Sequence, residues 1–273
     1  MIKITEQPSK YRHLEKMPVE EITASINQED KTVAFAIEKA LPRINQLIIT
    51  IVEKLKSDGR LFYVATGSGG RLSVLDVIEL PTTFGVPNGI FNVILAGGID
   101  RLVEALEEKE DDTTEGWKML KSENISEKDI VVGISASGTT PFVLAALEEC
   151  RQNNITTGCI VSNPDSPIAG QADYSVEVIT GPEILAGSTR MKCGTAQKMI
   201  LDMISTTVMT QLGRVEDNRM VNMKLLNNKM LDRSVKMLME KAGINDYEEA
   251  KELLINHGSV KKAADFYQET KFS

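Results

Sequence analysis

The sequence LFYVATGSGGR at residues 61–71 places an apolar run directly before a glycine-rich turn. The continuous apolar run predicts a fully buried strand over Leu61–Thr66, because a strand covered on both faces shows no polar alternation. The turn that follows leads into a predicted helix over Arg71–Glu79. A buried strand, a tight turn and a helix in this order predict the first unit of a parallel α/β sheet.

The alternation of strand and helix patterns continues along the chain. Further buried strands are predicted at 90–96, 130–135, 158–162 and 174–179, and helices at Asp100–Lys109, 141–152 and 188–212. We therefore expect an α/β fold with a doubly wound parallel sheet, covered by helices on both faces.

Helical patterns flank this core on both sides. Upstream, apolar residues recur at spacings of three and four and predict a helix over Asp30–Ser57, interrupted or kinked near Pro42. Downstream, a capping box opens a helix at Asp246 that Gly258 closes, and a last helix is predicted around 261–267. The expected parts are an N-terminal helical arm at 1–57, an α/β domain at 58–213 and a small C-terminal helical tail at 214–273.

Composition narrows the classes of partner and compartment. The net charge of −8 and the pI near 5.1 argue against a nucleic-acid binder, which usually shows a basic face. The longest apolar stretches, such as Leu47–Val52, are too short to span a bilayer, and residues 1–6 lack the apolar core of a signal peptide. Cys150, Cys159 and Cys193 fit no metal spacing and are expected to be buried thiols. We expect a cytoplasmic protein without a nucleic-acid partner, a membrane partner, a metal or a cofactor.

Two loops at the carboxyl ends of predicted strands have the composition of an anion site. Each joins a strand to a helix, so backbone N–H groups and hydroxyls converge where the helix dipole favours an anion. The first loop fails the dinucleotide fingerprint, because Leu72 occupies the position of its third glycine. The second ends before Pro141 and offers four hydroxyls, with helix capping by Thr139 or Thr140 as an alternative use. The candidate phosphate ligands are Gly67, Ser68, Gly69, Ser135, Ser137, Gly138, Thr139 and Thr140.

Carboxylates are the natural proton carriers in this sequence. The chain has two histidines, His13 and His257, and both lie far in sequence from the two loops. Glu79 stands at the end of the helix predicted behind the glycine turn. The acidic run at 107–112 is the second candidate, although its composition alone indicates a solvated face.

Longer strings extend over nearly the whole chain. Residues 67–81 have the pattern GxxGRLxVLDxxExP, residues 133–141 the pattern GIxASGxTP, and residues 181–198 contain GPE and GSTRMKxGTAQK. With Thr5-Glu6 and Glu110-Asp111-Asp112, they make the chain resemble the N-acetylmuramic acid 6-phosphate etherases. The resemblance implies the sugar isomerase (SIS) type of fold, a flavodoxin-like sandwich usually seen in homodimers, with a phosphosugar-binding SIS domain at 58–213.

The resemblance also implies a reaction and the residues for it. Glu79 falls where the family keeps the acid that protonates the departing lactate oxygen, and Glu110 where it keeps the base that takes the C2 proton. Elimination and rehydration would give N-acetylglucosamine 6-phosphate and D-lactate, a step of peptidoglycan recycling. Ser188, Arg190 and Lys192 are expected at the sugar site or at a subunit contact.

Some positions depart from the family pattern. Gly69 stands in place of a serine, Thr139 in place of an arginine and Asn222 in place of an aspartate. They leave open a non-catalytic sugar-phosphate regulator, because eukaryotic glucokinase regulatory proteins are similar in the same strings and bind sugar phosphates without catalysis. An aldose–ketose isomerase of the same fold is a third interpretation. Release of D-lactate distinguishes the etherase from both.

Overall fold

The computed structural model describes residues 3–104 and 107–271. It contains a five-stranded sheet in the order β2-β1-β3-β4-β5, in which every pair of neighbours is parallel. The strands are β1 (Leu61–Ala65), β2 (Phe91–Leu95), β3 (Ile130–Ser135), β4 (Thr156–Val161) and β5 (Tyr174–Glu177). This order is flavodoxin-like, with a ligand crevice expected between β1 and β3, where the order of the strands reverses. The predicted parallel α/β sheet is confirmed.

Helices connect the strands and continue after the last one. The α-helices are α1 (Val19–Lys56), α2 (Gly67–Phe84), α3 (Glu115–Ser122), α4 (Pro141–Gln152), α5 (Pro167–Gln171), α6 (Lys192–Gln211), α7 (Asn228–Ala242), α8 (Tyr247–His257) and α9 (Val260–Lys271). Short 3₁₀ turns lie at Ile4–Glu6, Leu14–Lys16, Ile99–Arg101 and Glu107–Asp111. Within the two described ranges, no helix is both long and apolar enough to cross a membrane.

The chain divides into two compact units. The first comprises Met1–Val77 and Gly89–Ile204 and contains the sheet, and the second comprises Ile78–Asn88 and Ser205–Ser273. In the first unit, apolar side chains of the strands pack against α4, among them the fully buried Phe62, Val131, Phe142 and Leu147. In the second unit, helices α7, α8 and α9 bury a separate cluster that includes Leu238, Leu254 and Ala263. The sequence-based division at residues 57 and 213 stays a prediction.

The first helix is longer than predicted. It begins at Val19 rather than near Asp30 and continues through Pro42 without interruption. The added segment has few apolar positions, which is why its pattern does not indicate a helix. The helix passes the proline because its buried apolar face continues on both sides, as at Ile37 and Ile44.

Helix α2 differs from the prediction at both of its ends. It begins at Gly67, so the predicted glycine turn is the first turn of the helix, and it continues past Glu79 and Pro81 to its end at residue 84. Contacts within the second unit hold the added turn, since the carbonyl of Thr82 accepts the N–H of Lys224 at 3.2 Å. Tertiary packing here outweighs the helix hydrogen bond that a proline cannot make.

The predicted helix at Asp100–Lys109 is wrong in its described part. The 3₁₀ turns Ile99–Arg101 and Glu107–Asp111 occupy this region, and positions 105 and 106 lie outside the described residues. Its described residues bury no apolar side chain, so packing does not stabilise a regular helix there.

The helical tail contains the predicted helices and one more. Asp246 caps α8 by accepting the N–H of Glu249 at 2.9 Å, and Gly258 ends the helix at φ 74°. Helix α9 extends the helix predicted around 261–267 in both directions. The additional helix, α7, is capped by Asn227, whose side chain accepts the N–H of Met230. That asparagine is the sequence signal that could have indicated α7.

Candidate active site

A cavity of about 180 Å³ opens at the carboxyl ends of β1 and β3, where this strand order places its ligand crevice. Both candidate loops reach it, and so does the acidic run through Glu110. Its wall consists of Glu6, Thr66, Gly67, Ser68, Gly69, Glu110, Ile134, Ser135, Ala136, Ser137, Thr140, Gly187, Thr189 and Gln197. The structure thus brings together hydroxyls of both loops and one of the two predicted catalytic carboxylates.

The glycine-rich segment forms the first turn of α2, whose initial N–H groups have no acceptor within the helix. Gly67 has a φ of +50°, and a Cβ at this position would lie 3.0 Å from Oε1 of Glu110. A Cβ at Gly70 would overlap Cδ1 of Leu95, so the helix start lies close to the sheet. With the hydroxyl of Ser68, the free N–H groups of this turn favour an anion.

The hydroxyls of the second loop are hydrogen-bonded to one another. Oγ of Ser135 lies 2.8 Å from Oγ1 of Thr140 and 3.2 Å from Oγ of Ser137. Oγ of Ser137 also accepts the hydroxyl of Thr139 at 3.1 Å and its N–H at 3.2 Å. Thr140 occupies the N-cap position of α4, but its side chain makes no capping bond, so the alternative of helix capping is wrong. The Ser135, Ser137 and Thr140 hydroxyls are instead arranged along the cavity wall.

Gly138 shapes the second loop without lining the cavity. It has a φ of +70°, and a Cβ there would overlap the side chain of Ser166. Oγ of Ser166 accepts the N–H of Ala169 at 3.3 Å and so caps α5. The carbonyl of Gly138 accepts the N–H of Ile168 at 3.1 Å. The phosphate loop is therefore fixed against the start of α5, and only glycine fits at the contact.

Glu110 is half-buried in its 3₁₀ turn, with its carboxylate against the start of α2. Burial raises its pKa above the ordinary value, and the charges of Glu107 and Asp111 act in the same direction. The hydroxyl of Thr66 and the guanidinium of Arg71 oppose this rise without cancelling it. A carboxylate with a raised pKa is a stronger base, which suits abstraction of a proton from carbon.

Four other predicted residues are not among those that line the cavity: Thr139, which donates to Oγ of Ser137, and Glu79, Ser188 and Arg190. Glu79 is exposed on α2 and belongs to the second compact unit. Arg190 is exposed and Ser188 is half-buried in the segment that precedes α6. Their roles stay predictions.

Lys192 is buried, but it faces a second cavity of about 670 Å³ beside α1 and residues 179–184. Its Nζ donates to Oε2 of Glu29 at 2.7 Å, and the hydroxyl of Tyr11 donates to Oε1 of the same carboxylate at 3.0 Å. Burial acts to raise the pKa of Glu29, but hydrogen bonds from Lys10, Lys192 and Tyr11 outweigh it and lower the pKa to about 2. This network joins the N-terminal segment, α1 and α6.

The start of α6 is fixed by Glu183, which comes from the GPE string. Its carboxylate is fully buried and accepts the N–H groups of Lys192 and Cys193, each at 2.9 Å. The carboxylate thus satisfies two of the N–H groups that a helix start leaves free. The sequence predicted that this helix begins near Ser188. The contact with Glu183 explains why α6 begins at Lys192 instead.

Part of the cavity wall was not predicted. Glu6, Thr189 and Gln197 line it, although the sequence assigned none of them to the site. All three lie in strings that resemble the etherases, the opening Thr5-Glu6 and the string GSTRMKxGTAQK. Membership of those strings was the available signal.

Known families and proteins resemble the chain over most of its length. Residues 113–207 match the SIS domain, and residues 43–151 match the glucokinase regulatory protein N-terminal SIS domain. The N-acetylmuramic acid 6-phosphate etherase of Bacteroides fragilis is 53% identical, over 98% of this chain and 95% of that protein. The protein of the same name from Porphyromonas gingivalis is 51% identical, over 96% of each chain.

Solved structures resemble the chain in fold. A phosphoheptose isomerase from Francisella tularensis matches with a TM-score of 0.54 and 16% identity, over 73% of this chain and all of that one (100%). A putative phosphosugar isomerase involved in capsule formation, from Bacteroides fragilis, matches with a TM-score of 0.52 and 18% identity, over 71% of this chain and 91% of that one. The fold is therefore of the SIS type, as the sequence strings indicated.

Proposed function

The chain belongs to the N-acetylmuramic acid 6-phosphate etherase family, and we propose that it cleaves the D-lactyl ether of N-acetylmuramic acid 6-phosphate. The products are N-acetylglucosamine 6-phosphate and D-lactate. One observation carries the proposal: the Glu110 carboxylate, with its raised pKa, shares a cavity with the helix start and hydroxyls of an anion site. A base beside a bound phosphosugar is what the first step of this reaction needs.

The phosphate is held by neutral donors. The hydroxyls of Ser68, Ser135, Ser137 and Thr140 line the cavity, and α2 and α4 begin beside it. None of the described residues in the cavity wall is a lysine or an arginine. Helix dipoles and unpaired N–H groups therefore balance the phosphate charge.

The elimination moves two protons, one from C2 to Glu110 and one from Glu79 to the departing oxygen. Opening of the sugar ring gives an aldehyde at C1, which acidifies the proton on C2. Glu110 takes that proton, the electron pair forms the C2–C3 double bond, and the C3–O bond to lactate breaks. Glu79 donates a proton to the departing oxygen, because an alkoxide leaves poorly. Water then adds at C3 while a proton returns to C2.

The proposal also includes an oligomeric state and a compartment. We infer that the protein forms a homodimer. The exposed Phe35 and Ile49 on α1, 65% and 57% accessible, support such an interface. The three buried free thiols support a reducing compartment, the cytoplasm.

The decisive measurement is release of D-lactate from the phosphosugar by the purified protein, read with D-lactate dehydrogenase. Glu110→Gln should abolish both this release and exchange of the C2 proton with deuterated water, since an amide cannot accept the proton. Because burial disfavours the Glu110 charge, the variant should fold at least as stably as the wild type. Glu108→Gln, in the same 3₁₀ turn but exposed, is the matched control and should retain both rates.

Other outcomes would favour the alternatives. A wild type that binds the phosphosugar tightly but releases no D-lactate would be a sensor of the regulatory type. Interconversion of aldose and ketose phosphates without D-lactate would indicate an isomerase. Equal turnover of the unphosphorylated sugar would contradict the role assigned to the two loops.

A further inference from the structure

The N-terminal segment brings a third carboxylate to the candidate active site. The 3₁₀ turn Ile4–Glu6 lies beside the phosphate loops, and Glu6 forms part of the cavity wall. We propose that Glu6 is a substrate-binding residue whose carboxylate accepts a hydrogen bond from a hydroxyl of the bound phosphosugar. This inference rests on the proposed function and adds a specificity residue to the same site.

The segment is held in place by the residue that precedes Glu6. Thr5 is buried, and its N–H donates to Oδ1 of Asn163 at 3.1 Å. Nδ2 of Asn163 donates to Oγ1 of Thr5 at 2.9 Å and to the carbonyl of Ser137 at 3.0 Å. One fully buried amide thus ties the chain next to Glu6 directly to the phosphate loop. Two bonds to a single side chain fix the register of the segment.

The carboxylate of Glu6 lies close to the backbone of Gly187, which also lines the cavity. Gly187 has a φ of +76°, and a Cβ at this position would lie 3.3 Å from Oε2 of Glu6. Thr189, two residues further on, lines the same cavity. The side chain of Glu6 therefore reaches from the N-terminal turn to the GSTRMK string, on the wall of the cavity that the phosphate loops also line.

The carboxylate of Glu6 is exposed to solvent at the cavity wall. No salt bridge among the described residues involves Glu6, and Glu110 adds a second carboxylate to the same cavity wall. Carboxylates at the wall accept hydrogen bonds from neutral hydroxyls of a ligand. The wall therefore places hydroxyls of a ligand beside the carboxylates and its phosphate beside the two loops, an arrangement that a phosphosugar can satisfy.

The test compares variants of Glu6 with a matched change in the same segment. Glu6→Ala should raise the KM for the phosphosugar, and the Kd for N-acetylglucosamine 6-phosphate measured by calorimetry, by about ten- to a hundredfold. Glu6→Gln, which keeps an acceptor but loses the charge, should show a smaller rise. The kcat should change little, because a contact made equally in ground and transition states is uniform binding. Glu15→Gln, exposed at 69%, should match the wild type.

The outcomes separate this inference from the proposed function. A KM and a Kd within twofold of the wild type in both Glu6 variants would overturn the inference, even if D-lactate is released. Loss of thermal stability in Glu6→Gln without a change in Kd would also overturn it, since that result assigns Glu6 a structural role. If the wild type releases no D-lactate, the calorimetric shift still decides whether Glu6 contacts the sugar.

Discussion

Glu110 and Glu79 occupy opposite environments, and the reaction requires opposite protonation states of them. Glu110 is half-buried and its pKa is raised by burial, whereas Glu79 is exposed on α2. The base must be ionised before it can accept the C2 proton. Because the pKa of Glu110 is raised, activity should be lost, as the pH decreases, at a higher pH than for a base with an ordinary glutamate pKa. The two roles can therefore be separated by measuring the two half-reactions.

Glu79→Gln should reduce D-lactate release by about 10²- to 10⁴-fold, the usual contribution of a general acid. It should reduce exchange of the C2 proton much less, because proton abstraction precedes departure of the leaving group. Proton NMR in deuterated water follows the exchange, and the coupled dehydrogenase assay follows the release. Glu53→Gln, exposed on α1, serves as the control. Equal losses in both rates would mean that Glu79 only positions the sugar.

The sequence predicted the site best where its ligands are contiguous. Ser135, Ser137 and Thr140 lie within six residues at a strand end, and the topology of parallel sheets alone brings them to the crevice. Lys192 was expected near the sugar, yet its side chain points to Glu29 beside a different cavity. A motif gives the neighbours of a residue along the chain, but not the side of a helix start on which its side chain lies.

At the scale of elements, strands were predicted more accurately than helix ends. Strand β3 and helix α4 begin and end where the sequence places them, because a buried apolar run and the proline at Pro141 mark their limits. Helix α2 continues through Pro81 because tertiary contacts stabilise its last turn, and no local signal encodes such contacts. The predicted helix at Asp100–Lys109 is wrong for the opposite reason, since none of its described residues buries an apolar side chain.

The contact between the start of α2 and the sheet yields a prediction for the element as a whole. Gly70→Ala should lower the free energy of unfolding by about 1–3 kcal/mol, because the new Cβ would overlap Cδ1 of the buried Leu95. Urea denaturation measures the change. Gly170→Ala is the matched control, since a Cβ there meets no atom within 4 Å.

A second substitution tests the cause. Leu95→Val removes the δ-methyl groups and should restore part of the stability of Gly70→Ala, although it weakens the wild type. Equal unfolding midpoints for Gly70→Ala and Gly170→Ala would contradict the close approach.

At the scale of the whole molecule, distant parts of the chain meet at one buried carboxylate. Glu29 on α1 binds Lys192 at the start of α6, which is 163 residues away in sequence. It also binds Lys10 and Tyr11 of the N-terminal segment, whose neighbouring turn carries Glu6. Two lysines balance one carboxylate, so the group is ionised in the folded protein far below the ordinary pKa of a glutamate. Stability of the chain should therefore depend on pH through this residue.

Glu29→Gln should destabilise the protein by about 2–3 kcal/mol at pH 7, since it leaves the buried ammonium of Lys192 without a charge partner. The lowered pKa of Glu29, about 2 against 4.5, gives the pH window. The stabilisation is complete above pH 4.5 and is lost as the pH falls toward 2, because the unfolded state takes up the proton first. The difference between wild type and variant should thus be about 1 kcal/mol smaller at pH 4 than at pH 7. Urea unfolding at both pH values measures this difference, with Glu38→Gln, exposed on α1, as the control.

A second substitution, Lys192→Met, should restore part of the stability that Glu29→Gln loses. A difference between wild type and Glu29→Gln that stays constant from pH 7 to pH 4 would show that Glu29 acts through packing and not through its charge.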